Sequence, residues 1–595
     1  MDNNEKFQKG QNDKNYNIEP KVSLNPPNLT EIGKTIVTDK FPITMDNFWF
    51  ALNSNVVANP FDFVSVENLH STRTIGIIKE LQTIAIDSYS LLQSGIKEQQ
   101  LLLPPPTTTT TTTTTTIDLG RQEHQYPLLP HILTIAKVAV MANTGVEVEG
   151  TKNSISISMP VGAGKIVKFA SAEEIIFALG IPQMGNPIPA GVIETTNGLQ
   201  VPITLDISYL AGPDTAHVNA SGISGNQKTT YLLFLLQSAY QKLKNENVAL
   251  IIFNTKEGEL LQIDKRQKNV KERTEKLFNI LDLEIQPFDN VRYFLPRGKD
   301  GKPNSVYVPN NYKTYSYELE DIYDRLDLLL PDAHNPEYNL SSIIDYIYES
   351  WPIKDSNSGR RITTWTDLFE YEEYPQEIVS HKSSLLHFRG YLQRFRRSAM
   401  FTDKKVTSTY LGKEIKQIKS GDVFVIDVGM ISSLDEQSFI VGDVMKSIDE
   451  MYSSREYLGD DSNDEKNKKD ERPKYILIFV DEINRFIPKS EYLGRMNAVS
   501  EQIMRTLIAG ISRGTILFSA QQFKSATDYR LHENTGLHIT AKLGLSELST
   551  DPYSMLDEST KMNIARLNKG ELVMIHSAFR HPIKISFPRA AFIRL

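Results

Sequence analysis

Lys228 and Thr229 follow two glycines, Gly222 and Gly225, in the stretch GISGNQKTT over residues 222–230. That spacing approximates G-x-x-x-x-G-K-[ST], in which consecutive backbone N–H groups and a helix N-terminus converge on a phosphate. The lysine of such a loop adds positive charge towards the β- and γ-phosphates, and the hydroxyl residue ligates magnesium. Gln227 stands where the pattern has its second glycine. A glutamine reaches positive φ at a cost of about 1–2 kcal/mol, small beside the ~8 kcal/mol of a micromolar ligand. Gly222, Ser224, Gly225, Asn226, Gln227, Lys228, Thr229 and Thr230 are therefore candidate phosphate contacts, with ATP and Mg²⁺ as the candidate ligands. The alternative is a glycine-rich turn without a ligand.

Two further stretches supply groups that this chemistry needs. ILIFVDEIN (476–484) is an apolar run ending in adjacent acids. Asp481 at a strand tip would hold magnesium through water, at the ion that Thr229 ligates, and Glu482 would polarise the attacking water. An ordinary buried strand with a solvated acidic end is the bland reading. GTILFSAQQ (514–522) is a second apolar run, and Gln521 at its tip could sense a γ-phosphate or orient water. Arg513, in IAGISRG (508–514), falls at a helix–strand junction from which an arginine can reach a neighbouring subunit's nucleotide. A surface ion pair is its alternative.

Positioning these groups requires a parallel sheet, and the chain is built to make one. VALIIFN (248–254), GDVFVIDVG (421–429), KYILIFVDE (474–482), GTILFSAQQ and GELVMIHSA (570–578) are short apolar runs of the kind that buried strands use. Helical patterns separate them, which predicts a doubly wound α/β domain over 206–595 with a helical insertion at about 310–410. Before it, alternating β-type runs predict a small barrel or sandwich over 46–205, and residues 1–45 read as a mobile lead-in. LLLPPPTTTTTTTTTT (101–116) reads as an exposed loop within the β domain. GDDSNDEKNKKDERP (459–473) reads as a solvated loop.

Composition narrows the function classes. The 595 residues are 40% hydrophobic and 23% charged, enough to bury several cores. A net charge of −8 argues against a nonspecific nucleic-acid coat while allowing a local basic lining. There is no cysteine, which removes disulfides, thiolate metal sites and cysteine nucleophiles. No apolar run approaches the ~20 residues of a membrane span, and the N-terminus has no apolar signal core. A cytoplasmic protein without membrane contact is the expectation.

Taken in order, the motifs resemble the HerA family of ATPases, within the HerA/FtsK group. The resemblance runs from VSVENLHSTRTIGIIKEL, similar to the start of the family's HAS barrel, through the phosphate loop, LIFVDEINRF and SRGTILFSAQQF to LNKGELVMIHSAFRHPIKISFP. It covers roughly residues 60–590. It implies a RecA-like P-loop ATPase core behind a small β-barrel, and a homo-hexamer that threads DNA through its pore. A nuclease or other effector is an implied partner, in DNA processing or antiphage defence. Residue by residue it assigns Lys228 and Thr229, Asp481 and Glu482, and Gln521 to the nucleotide site, with Arg513 a looser match. Gln227, and Asn254 where relatives carry aspartate, depart from the family pattern and bear on rate more than on fold. A nucleotide-binding ring that scaffolds an effector, with little or no hydrolysis, is the competing reading.

Overall fold

The computed structural model describes residues 31–86, 131–147, 154–156, 158–212, 216–225, 227–244, 247–330, 333, 340–356, 359–378, 382–403, 407–457, 472–489 and 497–594. The poly-threonine stretch, most of 459–473 and Asn226 lie outside these residues.

The N-terminal β region closes into a six-stranded barrel. Its strands are β1 (Gly33–Ile36), β2 (Asn47–Leu52), β3 (Phe63–Glu67), β4 (Arg73–Ile86), β5 (His131–Asn143) and β8 (Ile166–Phe169). They run in the order β1-β2-β5-β4-β3-β8, with β8 returning to pair with β1. A short ribbon, β6 (Gly145–Glu147) with β7 (Ser154–Ser156), extends from it. Two boundaries differ from the sequence expectation. β1 lies inside the segment read as lead-in, because Gly33, Thr35 and Ile36 are buried against β2 and β8. The hairpin β9 (Pro187–Glu194) and β10 (Gln200–Asp206) stands apart from the barrel. It packs instead on the helix Lys228–Leu243, where Tyr231 Oη donates to Ala190 O at 3.0 Å and Ser238 Oγ to Pro189 O at 2.6 Å.

The remainder is built on one ten-stranded sheet. Its strands are β11 (Val218–Ser221), β12 (Val248–Asn254), β13 (Val291–Pro296), β14 (Tyr312–Tyr315), β15 (Val423–Asp427), β16 (Tyr475–Val480), β17 (Thr515–Gln521), β18 (Leu537–Thr540), β19 (Leu572–His576) and β20 (Ile583–Ile585). The order is β14-β13-β15-β12-β16-β17-β11-β18-β19-β20. Pairings from β14 to β18 are parallel; β19 and β20 are antiparallel and finish one edge.

The central strands read as unbroken apolar runs because both faces are covered. Alternate residues feed two cores. Leu250, Ile252, Leu477, Phe479, Ile516 and Phe518 pack with the helix Lys228–Leu243 and the β9–β10 hairpin. Ala249, Ile251, Phe253, Ile476, Ile478 and Leu517 pack with the helices Leu434–Tyr457 and Ala498–Arg513 and with the insertion. Among the described residues, six helices run between β14 and β15 from Leu319 to Ile415, with a 3₁₀ turn at Tyr323–Arg325, and form the insertion. A buried ion pair, Arg325 Nη1 to Asp443 Oδ1 at 2.6 Å, fixes them to the helix Leu434–Tyr457. Within the insertion, the helix Lys382–Arg397 buries Phe388, Leu392 and Phe395 and leaves Arg394, Arg396 and Arg397 exposed. That is an amphipathic helix with a solvated basic face.

Candidate nucleotide-binding site

β11 lies between β17 and β18, and β17 separates it from β16. Because these strands are parallel, the loops that leave their C-terminal ends gather on one edge of the sheet. Open α/β sheets bind ligands at that edge. The phosphate-loop stretch leaves β11 there, the acids leave β16, and Gln521 ends β17. One strand inserted between the loop strand and the acid strand is the RecA-like arrangement.

The loop is pinned at its base. Gly222 N–H donates to Gln522 O at 3.2 Å, and Ile223 N–H to Lys542 O at 3.2 Å. Gly222 has φ 153°, and a Cβ there would meet Ala541 Cβ at 2.6 Å, so glycine is required. Gln227 takes φ 66° and ψ 15°, the left-handed conformation that the pattern's glycine would supply. Its C=O accepts from Tyr231 N–H at 2.9 Å and opens the helix Lys228–Leu243. Its side chain leaves the loop towards the turn at Gly570, where a Cβ would stand 3.4 Å from Gln227 Oε1. The glutamine thus keeps the loop's backbone path, at about 1–2 kcal/mol of strain.

Lys228 and Thr229 are both buried at the helix start. Thr229 Oγ1 donates to Asp481 Oδ2 at 3.1 Å, which joins the two motifs across the sheet edge. Asp481 is 3% exposed, and its Oδ1 accepts from the N–H of Glu482 at 2.9 Å. Glu482 is itself left-handed, with φ 54° and ψ 47°, a strained conformation of a kind that gathers at functional sites. Burial lowers the Lys228 ammonium below the usual lysine range, offset in part by Asp481 and Glu482.

Sequence reasoning missed Lys256, just beyond β12. Its Nζ lies 2.7 Å from Asp481 Oδ2 and 3.4 Å from Glu482 Oε1, bridging both acids. Burial works against this ammonium, but the two carboxylates outweigh it and raise its pKa above the ordinary value. The available signal was its place, two residues after an apolar strand parallel to β16. Asn254, at the tip of β12, donates to Asp427 Oδ1 at 2.8 Å and accepts from Leu260 N–H at 3.1 Å.

Two predicted residues stand differently. Gln521 is fully buried and forms a reciprocal amide pair with Asn219 of β11, both bonds at 2.7 Å. It is at the correct edge, with its amide already engaged. Arg513 precedes the N-terminal end of β17, so it stands at the opposite sheet edge. A seven-residue strand of about 3.3 Å per residue separates it from the loop side. There it pairs with Asp449 Oδ1 at 3.8 Å.

Above the loop lies a cavity of about 590 Å³ lined by Ser224, Gly225, Gln227, Lys228, Thr229 and Thr230, by Lys256, and by C-terminal residues. Its cations and the helix N-terminus suit a polyphosphate. A hydroxyl and a carboxylate 3.1 Å apart are the hard oxygen donors that magnesium takes when phosphates and water complete its shell. The residues present therefore fit a magnesium–nucleotide ligand.

No family profile matches the sequence, and no curated protein matches it. Solved structures similar to the chain include VirB4 of Thermoanaerobacter pseudethanolicus, 13% identical over 68% of this chain and 96% of that one, with a TM-score of 0.40. The bacterial conjugative coupling protein TrwBdeltaN70 is 12% identical over 68% of this chain and 91% of its own, at 0.38. The genome packaging NTPase B204 from Sulfolobus turreted icosahedral virus 2, solved with ATP-gammaS, is 10% identical over 30% of this chain and 72% of its own, at 0.21. At such scores and identities these likenesses decide neither family nor activity. The class is defined by the chain itself: a RecA-like α/β fold with a phosphate-loop element at its C-terminal sheet edge.

Proposed function

We propose that this chain is a HerA-type ATPase that binds ATP with Mg²⁺ at residues 222–230 and hydrolyses it slowly. The observation that carries the reading is the 3.1 Å contact between Thr229 Oγ1 and Asp481 Oδ2, with Thr229 and the adjacent Lys228 both lining the cavity. Two motifs about 250 residues apart meet in this contact, which supports a site for a magnesium–phosphate unit. Bound magnesium would supply charge neutralisation for the phosphates. Backbone N–H groups of the loop and Lys228 hold the phosphates, while Thr229 and Asp481 provide the oxygen ligands. Glu482 accepts a proton from the attacking water. For that, its carboxylate must leave Lys256, which spans both acids.

The order of motifs supports a homo-hexamer that moves DNA through its pore and works with a nuclease or other effector. The competing reading, a nucleotide-binding scaffold ring, draws support from Gln521, whose amide N–H and C=O both bond Asn219. A turnover assay separates the two. Glu482→Gln should still bind ATP but lose about 10²–10⁴ in rate, the usual contribution of a positioned base. Duplex DNA should accelerate the wild type. Equal rates in wild type and variant, with no response to DNA, would favour the scaffold.

A further inference from the structure

Resting on that nucleotide reading, we infer that the end of the chain is part of the ligand site. Arg594 binds the α/β-phosphate portion that nucleoside di- and triphosphates share. The tail is held over the loop by a series of backbone contacts. Gln267 N–H donates to Ala591 O at 3.1 Å and Ile593 N–H to Lys265 O at 2.9 Å, around a bridge between Arg266 and Phe592. Ala591 N–H donates to Gln237 Oε1, on the phosphate-loop helix, at 3.2 Å. Ala590, Ala591 and Phe592 are buried, so this segment is fixed in place.

The guanidinium that it delivers is incompletely used. Arg594 Nη1 donates to Thr230 Oγ1 at 2.7 Å, Nη2 pairs with Glu259, and the buried Nε–H has no partner among the described residues. Thr230 is one residue past the hydroxyl that faces Asp481, and the N–H groups of this helix start are those that cradle α- and β-phosphates. Arg589 and Lys569 line the same cavity, where Glu259 is the one carboxylate side chain among the described lining residues. A planar fork beside a phosphate-binding helix start suits bidentate contact with phosphate oxygens.

The test is calorimetric titration of the full chain with ATP and with ADP, both with Mg²⁺. Arg594→Ala should weaken both by a similar factor, about tenfold or more, as for a hydrogen bond to a charged group. Arg594→Lys should recover part of the loss. Glu259→Gln frees the guanidinium and should bind at least as tightly as wild type. Unchanged affinity in a folded Arg594→Ala protein would overturn the assignment while leaving the nucleotide reading intact. An equal loss in Glu259→Gln would also overturn it, because Arg594 would then only tie the tail down. A wild type that binds neither nucleotide would overturn both.

Discussion

At the residue scale, Lys256 is the group that changes how the site works. Its ammonium stands against Asp481 and Glu482, where a magnesium ion would otherwise compensate two adjacent carboxylates, one of them buried. Removing one partner of such a cluster leaves uncompensated charge. Lys256→Ala should therefore melt at a lower temperature than wild type without ligands. Millimolar Mg²⁺ alone should restore part of the loss in the variant and leave the wild type unmoved. Thermal melts with and without Mg²⁺ check this, and identical melting of both proteins would contradict it. Gln227 makes the complementary case. Its left-handed backbone shows that the loop demands the conformation glycine would give, so Gln227→Gly should bind ATP as well as or better than wild type in the same titrations.

At the scale of elements, the strand that precedes each motif decides what the motif can touch. β16 and β17 were legible from sequence because wholly buried parallel strands read as uninterrupted apolar runs. β11 was not, since VNAS is four residues with a polar second position, and its burial comes from neighbours on both sides. Motif order suggested that Thr229 and Asp481 serve one site without fixing their contact, whereas Lys256 required knowing that β12 lies beside β16. Gln521 was placed at the correct edge, but its partner Asn219 belongs to the strand that the sequence hid. Just past β17, Lys524 is buried beside neutral His538, whose Nδ1 it meets at 3.0 Å, with His532 near and Glu547 opposing. Burial lowers its pKa from the ordinary 10.5 to about 7. The unfolded chain thus holds more protons between those values, and this group makes stability rise with pH across that window. Lys524→Met should stabilise most below pH 7, with the gain shrinking as pH rises towards 10.5, as urea denaturation at several pH values would show.

At the scale of the whole molecule, a barrel, a parallel sheet with its helices and a helical insertion are assembled so that the loop edge is built from several parts of the chain. Among the described residues no helix is long and apolar enough to cross a membrane. A HerA-type ring would complete its site at subunit boundaries, so light scattering with ATP and Mg²⁺ should report a species near six times the 67.4 kDa chain. A protein that remains a single chain at micromolar concentration would remove the ring from the account. Arg513, at the far edge of the sheet, can act only across such a boundary, and the assembly therefore has to be established before its variants are interpreted. The claim on which the rest depends is that the loop at 222–230 holds a magnesium nucleotide, and calorimetric titration with ATP and Mg²⁺ tests it directly. Saturable binding by the wild type, abolished in a folded Lys228→Ala protein, is the predicted result. No saturation by millimolar ATP, or undiminished binding in Lys228→Ala, would contradict it.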